Sequence, residues 1–404
     1  MEFDPFSNEY FENPYEIYRW LRDEAPIYHN ERLGFWAVSR YADCLDAHRD
    51  VATYTSTHGL SLDQLRSTDF GAIAQQSNMM IMMDPPMHHR MRRLVSNAFA
   101  PRAISSWQPV VERVIARFLD ELEGLRAFDA VRDFAGPFPI EVICEIVGVP
   151  AADRQMIRHW TDDLLERELG NPFPTDKGIL ASISIGTYMH DLVGDKRRNS
   201  APNPDLATDM IGHLIAAQIE REDGEIDHLD DNEIASFILL LTGAGGETVT
   251  KLVGNAVMSF AEFPDELARL KADPSLAASA VEEMLRWRAP SQYQGRFSTA
   301  DKEWHGVIVP AGEPMLIITG AANRDPRAYD EPDRLDIGRV APVGISFGYG
   351  IHHCIGAHLA RLEGRTAFNE LYRRFPDLDV DLDGVSWVHM SNVAGPSSVP
   401  VMVG

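Results

Sequence analysis

The sequence predicts a mainly α-helical protein with a smaller β region. Two observations carry that reading: apolar residues recur at three-and-four spacing through much of residues 12–290, and strand-like runs are few and short. A third bounds it: the chain has 404 residues, an ordinary apolar share of 45% and no low-complexity tract, so it can bury a large core. Length alone favours two or three domains, because single cores tend to stop growing at roughly 250–300 residues. Against that, no internal repeat and no shift of composition marks a boundary.

In chain order, the start Met1-Glu2-Phe3-Asp4-Pro5 is acidic and broken by proline, unlike a signal peptide, so neither export signal nor membrane anchor is expected. Gly34-Phe35-Trp36-Ala37-Val38 reads as a strand. Asp84-Pro85-Pro86 is a helix-start signal with Asp84 as cap, and it sets His88 and Arg92 on one helix face. Ile104 to Leu125 and Asn232 to Phe260 have helical periodicity. The most apolar stretch, Ile234 to Gly245, is followed by Glu247, Thr248 and Lys251; at about 12 residues it reads as a buried core helix, too short to span a bilayer. Gly170–Pro174 and Asn199–Pro204 cluster turn formers and read as connections, lid or linker. Glu283 and Arg286 share a helix face. Val307-Ile308-Val309 and Met315-Leu316-Ile317-Ile318 flank Pro310-Ala311-Gly312, which predicts a hairpin.

Lys plus Arg number 37 against 61 Asp plus Glu, and the formal net charge of -24 opposes phosphate backbones and anionic lipid surfaces, which argues against nucleic acid as a partner. Cys44, Cys144 and Cys354 lie far apart without C-x-x-C spacing. Neither a disulfide framework nor a four-cysteine zinc site is suggested, and a reducing cytoplasm fits.

The densest motif is Phe347-Gly348-Tyr349-Gly350-Ile351-His352-His353-Cys354-Ile355-Gly356-Ala357-His358-Leu359-Ala360-Arg361. Glycines let backbone approach a flat ligand closely, and amides at the start of the helix-like run can donate to a thiolate sulfur. Taken alone, such a cysteine is a buried inert thiol beside a turn. Two other chemistries overlap the loop. Gly344-Ile345-Ser346-Phe347-Gly348 fits the G-x-S-x-G nucleophile elbow, with Asp377 and His389 downstream, but that elbow needs parallel strands. Cys354 and His358 have the spacing of zinc ligands on one helix face, without a second pair. Upstream, Ala244-Gly245-Gly246-Glu247-Thr248 sets small residues beside a carboxylate and a hydroxyl. Small residues open space against a planar cofactor, and an acid–alcohol pair can relay protons through ordered water. The alternative is close helix packing at Gly245 and Gly246, with Thr248 bonded to a carbonyl one turn back.

The cysteine run resembles the haem-binding loop of the cytochrome P450 family, F-G-x-G-x-H-x-C-x-G-x-x-L-A-R, at every defined position. Ala244–Thr248 resembles the family's A-G-x-D/E-T motif, Glu283–Arg286 its E-x-x-R, and Pro332-Asp333-Arg334 its P-D-R segment. His88 and Arg92 resemble its H-x-x-x-R, and Arg296 its strand-borne propionate arginine. The chain departs from many bacterial relatives at His358, where they carry proline, and at Gly344, where they carry histidine.

The resemblance implies one P450 domain over residues 1–404, folded around one buried haem b (iron protoporphyrin IX), with no fused reductase. It implies Cys354 as the metal ligand, His88, Arg92, Arg296 and His352 at the propionates, and Phe347, Gly348, Gly350 and Gly356 around the sulfur. Ala244 and Gly245 then face the haem, Glu247 and Thr248 are the catalytic proton handlers, and Glu283, Arg286 and Arg334 are scaffold. The implied activity is insertion of one oxygen atom of O2 into a small lipophilic substrate, by hydroxylation, with electrons from a separate ferredoxin and ferredoxin reductase. Arg90, Arg93 and Arg361 are candidate docking charges, or solvated surface. Met79 to Met83, Val393 and Ala394 would line the substrate pocket, unless the methionines are core. A peroxide-dependent peroxygenase and a haem sensor or electron carrier are the alternatives, and Glu247–Thr248 argues against both.

Overall fold

Helices dominate this computed structural model, which describes residues 1–67, 78–168, 171, 173–199, 209–220, 224–340, 344–387, 390 and 392–404. Those that build the site are Tyr15–Glu24 (α1), Tyr41–Arg49 (α2), Met87–Ser96 (α3), Gln108–Asp120 (α4), Pro137–Val147 (α5), Arg154–Leu165 (α6), Asp176–Asn199 (α7), Asp231–Glu262 (α8), Ala277–Trp287 (α9) and Ala357–Arg374 (α10). The strands that matter are Ile27–Asn30 (β1), Phe35–Val38 (β2), Tyr54–Thr55 (β3), Gln294–Ser298 (β4), Lys302–Trp304 (β5), Val307–Val309 (β6), Pro314–Ile317 (β7) and Pro396–Ser398 (β8). Of the two predicted connections, Gly170 and Pro172 lie outside the described residues, as does the second beyond Asn199.

α8 is the axis of the molecule and packs against α5, α7, α9 and α10. Its start is fixed by a reciprocal cap: the Glu233 amide donates to the Asp230 carboxylate at 2.8 Å, and the Asp230 amide to the Glu233 carboxylate at 3.0 Å. From Val249 to Phe260 every residue is buried, as expected for a helix enclosed on all sides. It is also the one described helix long and apolar enough to cross a membrane, yet 61% of its most apolar window is buried within the fold. Gly246 sets the distance to α5, since a Cβ there would stand 3.2 Å from Ile140 Cδ1.

The larger sheet has the order β1-β2-β7-β4-β3, with β2 and β7 parallel and the other pairs antiparallel. The predicted hairpin between residues 307–309 and 315–318 does not form. β6 instead pairs with β5 across His305 and Gly306, whose φ values of 51° and 82° make the tight turn that twisted hairpins favour. Burial explains the choice. Every residue of β7 is buried, which suits a central strand, whereas Val307 and Ile308 are exposed, which suits an outer ribbon.

The start of α3 also differs from expectation. Pro86 occupies the cap position without a side-chain bond, and the Asp84 carboxylate instead accepts from the Thr55 hydroxyl and the Ser56 amide. Only the Asp84 carbonyl serves the helix, accepting from the His88 amide at 3.0 Å.

Under the cysteine loop lies a buried ion cluster. Arg286 donates Nε to Glu283 Oε2 at 2.7 Å and Nη2 to Oε1 at 2.8 Å, both side chains being 3% exposed. The third member is Arg339, whose Nε donates to Glu283 Oε1 at 3.1 Å. Arg334, the expected partner, turns its guanidinium outward to Glu331 and offers only its carbonyl to Arg286.

Candidate functional site

The cysteine loop turns back on itself before α10 begins. The Gly348 amide donates to the Ile345 carbonyl at 2.8 Å and the Cys354 amide to the Phe347 carbonyl at 2.9 Å. Gly348 and Gly350 take φ values of 68° and 71°, which side-chain-bearing residues avoid. At Gly350 the close approach is to α2, where an added Cβ would meet the His48 carbonyl oxygen at 2.7 Å. Gly356 caps α10, and a Cβ there would lie 3.9 Å from Cys354 Sγ. Of the three cysteines only Cys354 is exposed, yet protein encloses it: burial pushes its thiol up, against backbone hydrogen bonds from Gly356 and Ala357 and the charges of Arg92 and Arg361. An accessible sulfur beside a helix N-terminus, with protein packed around it, is positioned to act as a ligand. Phe347 is half-buried under the Arg361 guanidinium, 4.6 Å from its ring centroid.

Four of the implied propionate residues, His88, Arg92, Arg296 and His352, belong to one electrostatic cluster with His48. The His88 and His352 rings are 4.4 Å apart, and His352 Nε2 lies 3.1 Å from Ser56 Oγ. Burial, then the charges of Arg296, His88, Arg92 and His48, pushes His352 down to about 2. Burial and Arg92 push His88 to about 4, burial and Arg296 push His48 to about 3, and burial lowers Arg296 to about 10. Among the described residues, both ring nitrogens of His88 are buried without a partner, and Arg296 bonds only its neighbour's carbonyl, Gly295, at 2.7 Å. Asp84, the carboxylate acting on Arg296 and His88, is occupied by Thr55 and Ser56. With that carboxylate already bonded, the cluster fits a cofactor that brings its own carboxylates, as the propionates of haem b do.

Along α8, Leu240, Gly243, Ala244 and Thr248 recur at helical spacing and none of them is buried. Ala244 is exposed; a Cβ on Gly245 would instead meet Ile143 Cγ1 of α5 at 3.9 Å. The Thr248 hydroxyl donates to the Ala244 carbonyl at 2.8 Å, and Glu247 Oε1 lies 3.2 Å from Lys251 Nζ, so acid and alcohol point to different partners. Glu247 also acts on Asp162 of α6, whose carboxyl is pushed up to about 6 by burial and by that charge.

Other expectations are redistributed. Ser346 donates to the Leu285 carbonyl and accepts from Asn323 Nδ2 at 2.7 Å, which places it in the scaffold rather than at an elbow; His389 lies outside the described residues. Arg90 is committed to Asp227 and Glu233, and Arg361 to Glu282. Arg93 is exposed, with no ion pair among the described residues. Met80 and Met82 are buried, while Met79, Ile81 and Met83 are half-buried. Sequence reasoning passed over Asn323 and Arg339 and noted Lys251 only as a polar residue after the apolar stretch; none falls in a motif that stands out along the chain.

A family model described as cytochrome P450 matches residues 12–378. A Mycobacterium tuberculosis protein named as a cytochrome P450 is 42% identical over 401 residues, 99% of this chain and 96% of that protein. The vitamin D(3) 25-hydroxylase of Pseudonocardia autotrophica is 38% identical over 410 residues, covering 99% and 96%. The solved structure of the bacillaene polyketide synthase cytochrome P450 PksS from Bacillus subtilis superposes with a TM-score of 0.88 at 32% identity, over 100% of both chains. An enclosed thiol at a helix start, a basic cluster and these likenesses along the chain have one account: the protein belongs to the cytochrome P450 family of haem b monooxygenases.

Proposed function

We propose that this monooxygenase hydroxylates a small lipophilic substrate and takes its electrons from a separate ferredoxin and ferredoxin reductase in the cytoplasm, residues 1–404 forming one P450 unit. Bound haem supplies the redox chemistry, dioxygen giving one atom to the substrate and one to water for two electrons and two protons. The observation that carries the assignment is Cys354, accessible yet desolvated, with amides of α10 aimed at its sulfur. As a thiolate it would ligate the iron of a bound haem and donate electron density toward it. His88, Arg92, Arg296 and His352 would hold the propionates, and Phe347, Gly348, Gly350 and Gly356 would shape the strap around the sulfur. Ala244, beside Gly245, would leave α8 open to the group. Thr248 and Glu247 bond different partners, so protons passing between them travel through water.

The half-buried methionines around Met80–Met82, with Val393 and Ala394, suit an apolar skeleton of irregular shape. The vitamin D(3) named for one relative is such a skeleton. The testing experiment is the absorption spectrum of dithionite-reduced protein under carbon monoxide, wild type against Cys354→Ala. The expected result is the far-shifted Soret band of a thiolate-ligated haem in wild type and its loss in the variant. Folded wild-type protein that takes up no haem would overturn the assignment.

A further inference from the structure

Lys251 is the group least expected in the middle of α8. It is 2% exposed on a helix otherwise buried by apolar residues, and a buried ammonium is costly unless paired and hydrogen-bonded. Its surroundings supply both. Nζ lies 3.2 Å from Glu247 Oε1, one turn back, and donates to the Pro396 carbonyl of β8 at 3.0 Å. Gly395 makes room for the stem: a Cβ there would meet Cβ, Cδ and Cγ of Lys251 at 2.8, 2.8 and 3.0 Å. The segment before β8 is itself fastened, the Gln292 amide donating to the Asn392 carbonyl and the Ala394 amide to the Pro290 carbonyl, each at 2.9 Å. A solvated Glu–Lys pair at this spacing is worth only about 0.2–0.5 kcal/mol and fixes nothing. Here both partners are enclosed, and a third contact ties them to another part of the chain.

We propose that Lys251 is a positioning residue for Glu247, holding one carboxylate oxygen against the C-terminal segment at Gly395–Pro396 and leaving the other to exchange protons with water. Thr248 is placed through Ala244 one turn back; Glu247 is placed by Lys251 one turn on, which is itself tied to Pro396 outside the helix. Oε2 accepts a proton from water on one side and returns one to water on the Thr248 side, so the carboxylate ends as it began, and Lys251 neither gains nor loses a proton. The proposal rests on reading Glu247 as a proton-handling acid.

The test uses haem-loaded protein without substrate. Ferrous protein is mixed with oxygenated buffer, in water and in deuterium oxide, and the return of the ferric Soret spectrum is timed. In that reaction iron loses one electron, and dioxygen gains it and takes a proton as it leaves as hydroperoxyl. Glu247→Gln and Lys251→Met are each expected to shift the rate by about three-fold or more and to alter its solvent isotope effect alike. Lys251→Arg restores both, and the double variant adds nothing. Gly395→Ala, which wedges a methyl group against the stem, moves both in the same direction and serves if Lys251→Met loads no haem. A double-mutant cycle on thermal unfolding reads the 247–251 coupling without turnover, and zero coupling overturns the proposal. Wild-type kinetics in Lys251→Met alongside altered Glu247→Gln overturns Lys251 alone; wild-type kinetics in Glu247→Gln overturns the reading of Glu247 itself.

Discussion

A methyl group at Gly350 would stand 2.7 Å from the His48 carbonyl oxygen, in a residue whose φ is 71°. Gly350→Ala therefore carries both a clash and backbone strain, roughly 1–3 kcal/mol, and lowers both the thermal midpoint and haem occupancy. Gly348→Ala, whose nearest contact would be 3.8 Å, carries only the backbone share of about 1–2 kcal/mol. The basic cluster gives a second expectation. His88 and His48 stay unprotonated down to about 4 and about 3, so as pH falls below 6.5 the unfolded chain takes up protons first. Stability of the haem-free protein is then full above pH 6.5 and falls toward pH 4, by at most about 1.4 kcal/mol per pH unit for each histidine. Urea midpoints at pH 7 and pH 5 measure this, and adding haem, whose propionates pair with the cluster, should flatten the difference. Cys354 was legible because its glycines stand at fixed offsets along the chain. The reason for Gly350 was not, because it depends on where α2 passes in space.

Among elements, the Glu283 cluster separates two arginines that look alike in sequence. Arg339 shares the buried carboxylate, so Arg339→Ala leaves it underpaired and should cost about 3 kcal/mol, read as a lower unfolding midpoint and poor haem incorporation. Arg334 pairs outside, with Glu331, and Arg334→Ala should cost less than about 1 kcal/mol because its carbonyl, the part Arg286 uses, is kept. α8 was readable from periodicity, being long and enclosed. The hairpin was misread because local turn chemistry at Pro310–Gly312 competes with burial, and the fully buried β7 is drawn between β2 and β4. The cap on α3 failed for a similar reason: the Asp84 carboxylate finds donors at Thr55 and Ser56, next to the basic cluster.

For the whole molecule, a net charge of -24 makes an acidic ferredoxin an electrostatically awkward partner unless it meets a local basic patch. Arg93 is exposed, while Arg90 braces Asp227 and the first turn of α8. Arg93→Glu should raise the KM for ferredoxin about three-fold or more and weaken its salt dependence, with the carbon monoxide spectrum unchanged; Arg90→Ala should lower stability instead. The cysteine loop and the basic cluster found along the chain come together in space, but their bracing was hidden in residues distant in sequence. Asn323 is fully buried: its carbonyl accepts from Arg286 at 3.0 Å, its Oδ1 from the Ile345 amide at 3.0 Å, and its Nδ2 donates to Ser346 at 2.7 Å. One residue thus clasps the ion cluster, through its backbone carbonyl, to the strap that carries the thiol, through its side chain. Such a clasp makes escape of the prosthetic group a slow, concerted opening of the interior, so that Asn323→Ala should shorten the residence time of haem by far more than it weakens its equilibrium hold.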